Sequence, residues 1–127
     1  MSRLLLPMLA TYGSLGWDGI WYLASPYTDC PLGRKKAFEV VAKKAAELAK
    51  AKVQVFCPIA HSHPMALHGD LEGGDFDFWM QFDDPFMRAS VGLLIYMMPG
   101  WKDSRGVIAE LEHFRKAGKP VWGLPYA

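Results

Sequence analysis

The chain is predicted to be a three-layer α/β domain built on a parallel sheet of four to five strands, and three observations lead there. Short apolar runs alternate with helical patterns along its length. The runs are apolar throughout rather than at every second residue, as in strands covered on both faces. Parallel neighbours need crossover connections, and the intervening helices supply them. A length of 127 residues suits one domain with a single core that needs neither disulfides nor a structural metal.

Residues 1–18 mix Leu, Pro, Gly and Ser without sustained periodicity, and read as an N-terminal arm, an extra edge strand or a start-site extension ahead of a single domain over 19–127. Arg3 and the Leu-rich run after it only faintly imitate a signal peptide, because no small-x-small cleavage site follows before Trp17. Ile20-Trp21-Tyr22-Leu23-Ala24, closed by Ser25-Pro26, is a buried strand ending in a loop. Asp29 and Pro31 suit a helix start, and Phe38, Val41, Ala45 and Leu48 recur at helical spacing, predicting an amphipathic helix over 32–51. Val53 to Cys57 gives a second strand stopped by Pro58.

The segment from Ile59 to Gly74 reads as a long loop ending in a Gly-rich stretch. Asp75 can cap a helix through Phe78, Trp79 and Phe82. Asp84-Pro85 resembles an N-cap followed by proline at the first helical position, so a kink and a restarted helix are expected there. Val91 to Tyr96 is the third strand, Ser104 can cap a helix over 105–117 that stops at Gly118, and Pro120 to Leu124 is the fourth strand.

Fourteen basic residues against thirteen acidic ones leave a net charge of +1, which excludes the global field that binds a nucleic acid polymer or an anionic membrane. A charged ligand must be held locally. No apolar stretch approaches the roughly 18 residues of a membrane helix, so a soluble protein is expected. Cys30 and Cys57, without CxxC spacing, read as free thiols in a reducing cytoplasm. Neither GxGxxG nor GxxxxGK[ST] is present, which disfavours P-loop chemistry.

In parallel sheets ligands bind beyond the carboxyl ends of the strands, which nominates 25–29, 58–63 and 99–105. On the last helix Val107, Ile108, Leu111 and Phe114 form the buried stripe, with Glu110 at its edge and Gly106 one turn earlier on nearly the same face. Gly106 either admits close helix–sheet packing or leaves room for a ligand. A carboxylate at a pocket edge can be a nucleophile toward a sugar carbon, with an acid for the leaving group supplied by Asp83 or Asp84; capping alone also explains Asp84. Ser25, Tyr27 and Thr28 offer hydroxyls after the first strand. Ser104, Arg105 and Gly106 at a helix start could hold a phosphate, although capping explains Ser104 equally well. His61 and His63, with both rings reaching one side of an extended loop, suit contact with a nucleobase. With His68 and Asp70 they could also ligate zinc or iron, a third reading that lacks any HExxH or CxxC spacing.

These residues give the chain a resemblance to the nucleoside 2-deoxyribosyltransferase-like superfamily, most closely to its short bacterial members. It runs from Tyr22 to about Val121. It rests on Tyr22-Leu23-Ala24-Ser25-Pro26-Tyr27, Pro58-Ile59-Ala60-His61-Ser62-His63-Pro64, Trp79 with Asp83, and Gly100-Trp101-Lys102-Asp103-Ser104-Arg105-Gly106 leading to Glu110. The resemblance implies a flavodoxin-like sheet, a homo-oligomer, and cleavage of an N-glycosidic bond in a deoxynucleoside or nucleoside 5′-monophosphate; no cofactor or metal is expected. Glu110 matches the nucleophile, Tyr22 the tyrosine that orients it, and Asp83 the aspartate that assists base departure; Ser25, Pro26, Tyr27, His61, His63, Ser104 and Gly106 fall at substrate-binding positions. Ser104 stands six residues before Glu110, where transferases tend to have aspartate and the related 5′-monophosphate hydrolases a phosphate-binding serine. That difference favours a phosphorylated substrate, and the sequence ending at Ala127, without the C-terminal segment through which transferases complete a neighbour's base-binding site, leads to the expectation of hydrolysis over base transfer. The rival from another class is a nucleotide-binding sensor or interaction module that keeps the pocket without turnover.

Overall fold

Four parallel strands pair side by side in the order β2-β1-β3-β4, where β1 is Ile20–Ala24, β2 Val55–Phe56, β3 Ser90–Tyr96 and β4 Val121–Leu124. Helices α1 (Arg34–Lys50), α2 (Pro58–His68), α3 (Phe76–Ala89) and α4 (Arg105–Lys116) make the connections. The computed structural model describes residues 6–9, 11–12, 15–16, 18–71 and 75–126. The start of the Leu-rich run, Trp17 and Gly73-Gly74 lie outside them.

The strands bury both faces, as their unbroken apolar runs require. Trp21, Leu23, Leu94 and Tyr96 pack with Ala37, Val41 and Leu48 of α1 on one side. Tyr22, Ala24, Leu93 and Ile95 pack with Met87 of α3 and Val107, Leu111 and Phe114 of α4 on the other. Successive strand residues thus feed opposite helical layers, giving a three-layer, flavodoxin-like fold. Its order reverses between β1 and β3, so a crevice opens at their carboxyl ends. Gly92 of β3 lies so close to Trp21 that a Cβ there would overlap the indole, which explains a glycine inside a central strand.

Caps set several helix ends as the sequence predicts. Asp75 accepts from the Phe78 N–H at 3.0 Å to start α3, and Ser104 accepts from the Val107 N–H at 3.3 Å to start α4. Gly118, with φ +71, follows α4 in the left-handed conformation that ends helices.

Three expectations are corrected. Residues 59–68 are not loop but the body of α2, because Pro58 sits at the first helical turn, where its missing N–H costs nothing, and Pro58 and Ile59 are buried. The helix does not restart at Asp84-Pro85: α3 runs through Pro85, and Asp84 accepts from Arg88 Nε at 2.7 Å instead of capping. Burial of Asp83 and Met87, one turn apart, keeps that helix against the core despite its proline. β2 is limited to two residues.

Of the readings open for residues 1–18, the described part makes a minimal edge contact. Met8 bridges Gly123 in parallel, with the Gly123 N–H donating to Pro7 O at 2.8 Å and the Leu9 N–H to Gly123 O at 3.0 Å. Cys30 and Cys57 are free thiols, both buried. Among the described residues no helix is long and apolar enough to cross a membrane.

Candidate functional site

Tyr22 is the third residue of β1, paired with Phe56 on one side and Leu93 on the other, so its ring lies in the middle of the sheet face that α3 and α4 cover. Phe56 and Phe114 pack around that ring at 5.9 and 5.6 Å between centroids. The ring is fully buried, and its hydroxyl donates to Glu110 Oε2 at 2.6 Å. Glu110 reaches this point because α4 turns the stripe Val107, Glu110, Leu111 and Phe114 toward the sheet. Asp83 enters from α3.

Above the two carboxyls is a pocket with about 210 Å³ of water-accessible space, against the ~10–15 Å³ that one water needs. Four segments wall it. The loop after β1 contributes Ser25, Tyr27, Thr28 and Asp29. Helix α2 contributes Ile59, Ser62 and Ala66, α3 contributes Phe76, Trp79, Met80 and Asp83, and α4 contributes Ser104, Arg105, Gly106 and Glu110. A Cβ built on Gly106 meets nothing nearer than Ser104 Oγ at 4.0 Å, so that glycine does not serve packing; it leaves pocket volume open.

The electrostatics follow from burial. Desolvation pushes the Glu110 carboxyl up to about 8, Asp83's charge pushes the same way, and the Tyr22 hydrogen bond, which favours the ionised form, opposes both. Desolvation raises Asp83 to about 7, again opposed by hydrogen bonding from Tyr22. Tyr22 itself is held well above its ordinary range by burial, then by the neighbouring carboxyls, and stays a neutral donor. Both carboxyls therefore keep proton occupancy into the neutral range, where an ordinary Asp or Glu is ionised. Among the described residues Ser25 Oγ and Asp83 Oδ1 are buried without a hydrogen-bond partner, which leaves both for a ligand.

The structure therefore brings Tyr22, Glu110, Asp83, Ser25, Tyr27, Ser104 and Gly106 together, with Tyr22 behind Glu110 rather than on the pocket wall. Pro26 is buried beside the site but does not line it. His61 and His63 stand on helix α2 rather than on an extended loop, outside the lining of this pocket. On a helix they point about 100° to either side of Ser62, and Ser62 faces the pocket in their place. His61 stacks on Phe82 with centroids 5.7 Å apart. His63 stacks on Phe38 at 4.2 Å and shares a 2.6 Å hydrogen bond with the Tyr27 hydroxyl through Nδ1. Burial lowers the His63 pKa, against the nearby charge of Glu39. Among the described residues no group of three or more His, Cys, Asp or Glu could hold a metal, so His61, His63, His68 and Asp70 do not form the ligand set considered above.

Ser62, Ala66 and Phe76 went unrecognised in the sequence. Reading 58–68 as a helix would have found the first two, since Ile59, Ser62 and Ala66 follow helical spacing. No curated protein matches the chain. A family model described as a domain of unknown function (DUF1937) matches residues 19–124, a span that holds every wall of the pocket. The chain belongs to the DUF1937 family.

Proposed function

We propose that the pocket cleaves the N-glycosidic bond of a deoxynucleoside or nucleoside 5′-monophosphate through a glycosyl ester of Glu110, with water rather than a second base completing the reaction. The observation that carries this reading is the 2.6 Å hydrogen bond from the buried Tyr22 hydroxyl to Glu110 at the floor of a pocket that Asp83 also enters. The resemblance of the Tyr22-to-Tyr27 and Gly100-to-Glu110 segments to the nucleoside 2-deoxyribosyltransferase-like superfamily supports it.

In the first step a Glu110 oxygen forms a bond to C1′ as the C1′–N bond breaks. The bonding pair leaves with the base nitrogen, which takes a proton from Asp83. In the second step water attacks C1′, releases the Glu110 carboxylate and returns a proton to Asp83. One proton must therefore sit on Asp83 when substrate is bound. In the free pocket burial raises both carboxyls into the neutral range. The hydrogen bond from Tyr22 favours the carboxylate on Glu110, and a base nitrogen accepting from Asp83 holds a proton there, so substrate binding favours the reactive arrangement.

Incubating the protein with deoxynucleosides and their 5′-monophosphates, with and without a second base, and separating the products tests the proposal. Free base and free sugar are expected from wild type, and Glu110→Ala should abolish their release. A Glu110→Ala protein that releases base at the wild-type rate refutes the assignment. Saturable binding without release over hours would identify a non-catalytic nucleotide-binding module.

A further inference from the structure

The amino end of α4 opens into the pocket, and its N–H groups and positive dipole end make it the natural seat for an anion. The chain supplies an anion of its own there. Asp29, in the loop after β1, accepts from the Arg105 backbone N–H through Oδ2 at 3.2 Å, and two residues further along the Val107 N–H donates to Ser104 Oγ. The surrounding backbone is built to hold Asp29 in place. Gly100 adopts φ +88 and approaches this loop so closely that a Cβ would lie 2.8 Å from Pro31 Cδ and 3.3 Å from the Asp29 carbonyl oxygen.

Charge around the cavity acts in the same direction. Among the described residues its lining carries the Asp29 carboxyl and the partly protonated Asp83 and Glu110 against the single guanidinium of Arg105. That guanidinium lies 3.9 Å from the centroid of the Phe76 ring. The unpartnered Ser25 Oγ in the same wall offers a neutral group suited to a hydroxyl or a base edge.

We propose that Asp29 is a specificity-determining residue: its carboxylate occupies the anion position at the start of α4, so the site selects the uncharged nucleoside over its 5′-monophosphate. The remaining lone pairs of Asp29 accept a sugar hydroxyl. This inference rests on the reading of the pocket as a nucleoside site, and it reverses the preference for phosphate that Ser104 suggests from the sequence. A phosphate in that position would face a like charge at short range, the usual means of rejecting a wrong ligand.

Asp29→Asn removes the charge and keeps an oxygen for the Arg105 amide. Binding of a deoxynucleoside and its 5′-monophosphate should be measured by calorimetry on both proteins, with melting temperatures in inorganic phosphate as a separate arm. Wild type should prefer the nucleoside by about tenfold or more, and the variant should narrow that ratio by about tenfold. Inorganic phosphate should raise the melting temperature of the variant and not of wild type. Equal or tighter monophosphate binding by wild type, or an unchanged ratio in a folded variant, overturns the proposal. If wild type binds neither compound, the N-glycosidase reading fails, and the phosphate arm still decides: a difference between the proteins upholds Asp29 as the resident anion, and no difference overturns it. Should Asp29→Asn not fold, Asp29→Ser takes its place.

Discussion

Replacing Glu110 by Gln should stabilise the fold at alkaline pH while abolishing its chemistry. The folded protein holds the Glu110 proton up to about pH 8 against an ordinary value of 4.5. Between those values the native state binds more protons than the unfolded chain, so stability falls as pH rises through the window. Below it both states are protonated and the carboxyl costs nothing; above it the fold carries a buried carboxylate. At 1.36 kcal/mol per pKa unit the full cost has a ceiling of about 5 kcal/mol, reduced by water entering the pocket on ionisation. Gln keeps the shape and an acceptor for the Tyr22 hydroxyl but never ionises. A gain of about 2 kcal/mol or more is expected at pH 9, equivalent to a melting temperature higher by roughly 6 °C. Near pH 4.5 the two proteins should coincide. Urea unfolding of both at pH 4.5, 7 and 9 measures this. Parallel stability across that range, or a variant weaker at pH 9, would refute the assignment of a raised, buried carboxyl.

Gly106→Ala should stabilise α4 by about 0.5–1 kcal/mol, because the new methyl meets no protein atom nearer than 4.0 Å, yet weaken nucleoside binding by about tenfold or more; thermal unfolding with calorimetry checks both signs. Tyr22→Phe removes the hydrogen bond that favours ionised Glu110, so the acid limb of the rate profile should move to higher pH and kcat should fall; an unchanged pH profile contradicts the positioning role. Asp83→Asn should slow release of poor leaving bases more than of good ones, since only the former need a full proton; equal slowing for both would remove its role as the acid. Ser25→Ala deletes a hydroxyl without a partner among the described residues, so stability should hold or rise slightly while ligand affinity falls, as paired unfolding and binding measurements would report.

The sheet was legible because its strands announce themselves. Tyr22 to Ala24 and Leu93 to Tyr96 are uninterrupted apolar runs, and only a sheet covered on both faces needs them. The inward face of α4 was legible from the spacing of Val107, Leu111 and Phe114, and Glu110 came with it. Three prolines misled. Pro58 and Pro64 read as loop punctuation, and Pro85 as a helix start, yet α2 runs through Pro64, and α3 runs through Pro85 because the buried Asp83 and Met87 beside it outweigh one lost backbone hydrogen bond. Treating α2 as extended then aimed His61 and His63 at the ligand and hid Ser62. The role of Asp29 is non-local: it depends on a contact between residues 76 positions apart, which helical or strand periodicity does not encode.

Whether Glu110 forms a covalent sugar ester is tested most directly by the stereochemistry of the product. Base release in a methanol–water mixture, with the anomer of the methyl glycoside assigned by NMR, reports whether one displacement or two occur at C1′. Two displacements through Glu110 give retention of the starting configuration, and that is the expected result. Inversion, or no methyl glycoside and no free base from any nucleoside offered, would contradict the mechanism.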